Sequence, residues 1–110
     1  MRSESMLVLT TCGGPADAER IASALVERRL AACVNAVNGI VSTYRWQGKV
    51  ARETESLLLI KTTSDRYAAL EEAIRETSTY ELPEVLAVRV AGGLGEYLDW
   101  IAASVQRDSE

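Results

Sequence analysis

Histidine is absent from this 110-residue chain. Its absence excludes Ser-His and Cys-His catalytic pairs and every imidazole metal ligand, so chemistry near neutral pH falls to carboxylate, thiol, lysine, tyrosine or backbone groups. Phenylalanine is absent too, and the core must come from Leu, Val, Ile and Ala with two tryptophans and four tyrosines. Two cysteines, Cys12 and Cys33, are too few for a disulfide framework and form no CxxC spacing. A reducing cytoplasm is the expected location. No basic region followed by a long apolar run opens the chain, so no signal peptide is expected. No apolar stretch approaches the roughly 20 residues of a membrane helix, so no membrane partner is expected either. Basic residues are outnumbered by acidic ones, 12 to 16, for a formal net charge of −4. Phosphate binding needs the opposite balance, which removes nucleic acid from the expected partners.

What is present is ordinary for a folded protein, 47% hydrophobic and 25% charged. The length fits one domain spanning residues 1–110, with an ordered core of about 6–105 and a frayed polar start over residues 1–5. A domain this small buries a limited core, so self-association would help stabilise it.

Met6 to Thr11 reads as a buried strand, broken by Gly13-Gly14. Pro15 suits the first turn of a helix, where Asp17 and Glu19 meet the positive end of the dipole. Ala18, Ile21, Ala22, Leu25 and Leu30 form its apolar stripe, and Arg28-Arg29 its solvated end. Strand character returns at Ala32. Asn38-Gly39 looks like a hairpin turn, but β-branched and aromatic residues continue through Trp46, which predicts a bulge within one long strand. The reversal falls at Gln47-Gly48-Lys49, and Val50 to Thr62 returns, with Ser56 to Ile60 apolar on both faces and hence central.

Ser64 is the expected cap of a second helix, with Asp65 in its first turn and Tyr67, Leu70 and Ile74 on its buried face. Pro83 precedes a fourth strand over Val85 to Val90. Leu94, Leu98, Ile101 and Val105 mark a third helix, followed by a polar tail. The order β-α-β-β-α-β plus a helix predicts an α+β, ferredoxin-like antiparallel sheet with helices on one face. The other face needs a cover, which implies self-association.

Few residues carry chemistry. Cys33 within a strand is either a small buried hydrophobe or a soft metal ligand. Cys12 sits where a strand meets a helix start, in a structural role. Gly13-Gly14 lacks any phosphate-loop pattern and reads as a turn. Glu81 and Glu84 flank Pro83 beside Tyr80: they are hard oxygen donors for a divalent cation, or turn carboxylates paired locally. Lys61, near the end of a central strand, could neutralise one of them, bind an anion or reach water. Trp46 and Trp100 read as packing residues, with Trp46 able to cover a neighbouring subunit.

Five segments in register resemble one family: Leu30-Ala31-Ala32-Cys33-Val34-Asn35, Tyr44-Arg45-Trp46-Gln47-Gly48-Lys49, Leu59-Ile60-Lys61-Thr62-Thr63, Tyr80-Glu81-Leu82-Pro83-Glu84 and Tyr97-Leu98-Asp99-Trp100. The chain resembles the CutA divalent-cation-tolerance proteins from about Leu7 to about Val105. The resemblance implies a homotrimer, a role in the response to divalent metal ions, copper most often, and no defined catalytic reaction or obligatory cofactor. It places Trp46, Lys61, Tyr80, Glu81, Glu84 and Trp100 at clefts between subunits, with Cys33 and Glu84 as metal ligands. The alternative is a trimeric signalling module that binds a small anionic metabolite in those clefts. In one respect the chain departs from the pattern: Ser78-Thr79 stands where the family often has His-Pro, so an imidazole ligand is missing.

Overall fold

The computed structural model describes residues 2–107. Four strands form one antiparallel sheet: β1 (Ser5–Cys12), β2 (Cys33–Trp46), β3 (Lys49–Thr63) and β4 (Leu86–Arg89), in the order β2-β3-β1-β4. Helices α1 (Pro15–Glu27) and α2 (Tyr67–Thr77) connect them, and α3 (Gly95–Ser104) follows β4. This is the expected ferredoxin-like order.

Period-2 alternation divides the sheet into two unequal faces. Val8, Leu58 and Ile60 point to α1 and α2 and join Ile21, Leu25, Leu70, Ala73 and Ile74 in the core. The register sets Val8 opposite Ile60 and Thr10 opposite Leu58, so these residues stack as cross-strand neighbours. On the opposite face, one row runs Asn35, Leu59, Leu9, Leu86 and the next Cys33, Lys61, Leu7, Val88. Leu86 and Val88 are 59% and 51% exposed. The buried Ile101 of α3 and Val105 just after it stand apart from the main core.

The long strands behave as their sequence predicts. A register shift between Asn38 and Ile40 marks the bulge, and Gly39 has φ 78°, a conformation that glycine adopts without steric cost. The chain reverses at Gln47 and Gly48, both with positive φ, as a tight hairpin turn with the sheet's own twist requires. The resulting arm stretches the molecule to 47 × 26 × 22 Å, with a radius of gyration of 14.6 Å. A compact chain of this length would have about 13 Å.

Several local expectations differ. Ser5 already pairs with Thr63, and Arg2 bonds to Asp99 and the Gly95 carbonyl, so the start of the chain is tied to α3 rather than frayed. Ser64 caps nothing: it opens a 3-10 turn, Ser64–Arg66, and α2 begins at Tyr67 with no side-chain cap. Glu19 lies beyond the first turn of α1, which holds only Asp17 among acidic residues. Tyr67 is only partly buried, and Ala73 takes the third place on the α2 stripe. Leu94 is exposed, because it precedes α3 in extended conformation and does not reach the helix's buried side. Of the expected polar tail, 108–110 lie outside the described residues.

Candidate functional site

Beyond the bulge, β2 and β3 leave the helices behind and form a two-stranded arm. Its register places Ile40 opposite Glu55, Ser42 opposite Glu53, Tyr44 opposite Ala51 and Trp46 opposite Lys49, so these side chains share one face. β1 ends at Cys12, opposite Ser56, and leaves the flank of β3 open from Glu55 onward. The chain following α2 fills that flank. The Ser78 hydroxyl accepts a 3.1 Å bond from the Tyr80 backbone N–H and turns the chain, and the Thr10 hydroxyl donates to the Glu84 carbonyl at 2.7 Å. Ser78 thus has a local structural task at the position where an imidazole was expected to be missed.

Between arm and loop lies a cleft of about 780 Å³, lined by Tyr44, Arg45, Trp46, Glu53 and Glu55 from the arm and by residues 80–84 from the loop. The Tyr80 hydroxyl donates a 2.8 Å hydrogen bond to Glu55 Oε1. Glu55 is only 7% exposed. Burial, then the bond to Glu55, pushes the Tyr80 hydroxyl well above its usual range, so it remains a neutral donor. Tyr44 moves in the same direction, through desolvation first and Glu53 second.

The expected site residues divide. Trp46, Tyr80, Glu81 and Glu84 line this one cleft. Lys61 does not: it faces Cys33 across the β2–β3 ladder, with Nζ 3.9 Å from Cys33 Sγ, and also bonds to the Asn35 side chain. Lys61 lies six residues along β3 from Glu55, roughly 20 Å at strand rise, and so neutralises none of the cleft carboxylates of its own chain. Cys33 is at that same far end, so the chain does not bring Cys33 and Glu84 together as one metal site. Trp100 lies on α3 and stacks on Tyr97 with centroids 5.4 Å apart, away from the cleft lining. Cys12 is buried, its thiol pushed up chiefly by burial, as fits a structural role.

Sequence reasoning missed Glu55 and Glu53. The signal was a strand whose apolar run is preceded by two glutamates in alternation, Glu53 and Glu55, which must share a face. Four carboxylates therefore line the cleft against one guanidinium, Arg45. Among the described residues, no three His, Cys, Asp or Glu converge as ligands for a single ion. The excess of carboxylates gives the cleft a negative potential.

Comparison with known proteins agrees with the fold and the motifs. Residues 6–104 match the family model described as CutA1 divalent ion tolerance protein. The divalent-cation tolerance protein CutA of Thermus thermophilus is 48% identical over 95 residues, covering 86% of this chain and 92% of that one. The crystal structure of CutA from Xylella fastidiosa superposes with a TM-score of 0.92 at 44% identity, over 94% of this chain and 100% of its own. The chloroplastic CutA of Arabidopsis thaliana is 38% identical over 93% of this chain, which spans only 56% of that longer protein. The chain therefore belongs to the CutA1 divalent ion tolerance family.

Proposed function

We propose that this protein acts in tolerance of divalent cations as a homotrimer that attracts metal ions weakly at its carboxylate-lined cleft. The observation that carries this reading is the sign of the cleft within one chain: Glu53, Glu55, Glu81 and Glu84 line it with Arg45, while the Lys61 of the same chain stands at the other end of the sheet. That charge also disfavours an anionic metabolite as occupant. Carboxylate oxygens suit harder divalent ions, whereas a soft Cu(I) would seek the separate thiol of Cys33. A binding role, rather than catalysis, accords with a family described by cation tolerance and not by a reaction. Two free thiols suit a reducing compartment such as the cytoplasm.

Self-association is supported by the sheet face opposite α1 and α2, where Leu86 and Val88 are more than half exposed, and by an arm that projects past the core. The number three comes from the family resemblance. Sedimentation should give about three times the monomer mass, and a stable monomer overturns the architecture. Calorimetric titration of reduced protein with Cu(II) and Zn(II) should show saturable binding that weakens in Glu84→Gln, with Cu(I) binding weakened in Cys33→Ser. Binding no tighter than about millimolar, near −4 kcal/mol, makes the metal role indirect.

A further inference from the structure

We draw no further inference here: the strongest candidate, the Cys33–Lys61 side-chain pair on the sheet face opposite α1 and α2, is a single thiol with no second sign of a ligand beside it, and it lies on the face that self-association would cover.

Discussion

Tyr80 and Glu55, 25 residues apart, are joined by a 2.8 Å hydrogen bond that closes the loop after α2 against the arm of β3. The bond gives a partner to a carboxylate that this same loop buries, and it fixes one wall of the cleft. Tyr80→Phe removes the donor and leaves the ring. Hydrogen bonds to charged groups contribute about 1.5–3 kcal/mol, and the variant should lose stability of that order. Urea unfolding at fixed protein concentration measures it; an unchanged midpoint would mean that water replaces the phenol at no cost.

Ile60 shows the complementary dependence on packing. It is fully buried, opposite Val8 on one side and Val34 on the other. Ile60→Ala should cost about 2–5 kcal/mol through lost burial and the cavity left behind. The exposed Leu86 provides the contrast: in a single chain Leu86→Ala should change stability by no more than about 0.5 kcal/mol. A markedly larger loss at Leu86, growing with protein concentration, would reveal that another copy covers this face.

The fold was legible because its signals are local. Alternation in Met6 to Thr11, the Pro15 helix start and the Gly39 and Gly48 positions each dictate backbone geometry within a few residues. The long β2 strand is the clearest case, since apolar and aromatic residues on both sides of Asn38-Gly39 make a turn there uneconomical in burial. The site was legible only in part. Tyr80, Glu81, Glu84 and Trp46 could be singled out as unusual residues, but which end of the sheet each reaches is set by register. Lys61 pairs with Cys33 because the hairpin closes at Gln47-Gly48 and the bulge at Asn38–Ile40 then shifts the pairing of the preceding part of β2 by one residue. Nothing in the alternation of β3 marks Glu55 as buried; its burial is created by a loop that begins more than twenty residues later.

Alkaline pH should weaken the fold in a way that these contacts predict. Tyr80 and Cys12 both have raised values in the folded chain, through burial first. Each therefore holds its proton more tightly when folded. Their contribution is intact below the unfolded values, about 8.5 for a thiol and 10 for a phenol, and is lost as pH rises from there toward the raised folded values. The urea midpoint should hold near pH 7 and fall between about pH 8.5 and 11. Tyr80→Phe should flatten the upper part of that decline; a wild-type midpoint constant across the range would contradict the assignment.

The two thiols should respond differently to an alkylating reagent. Cys12 is 3% exposed, with its thiol directed at the Ser56 carbonyl, and its raised value leaves little thiolate at neutral pH. It should label only when the chain unfolds. Cys33 is partly exposed on the open face beside Lys61. In a dissociated chain it should label first, and assembly that covers this face should slow it as protein concentration rises. Peptide mass spectrometry after timed quenching distinguishes the sites. Native labelling of Cys12 ahead of Cys33 would contradict the burial pattern, whereas Cys33 labelling at one rate across a hundredfold range of concentration would show that the open face stays uncovered.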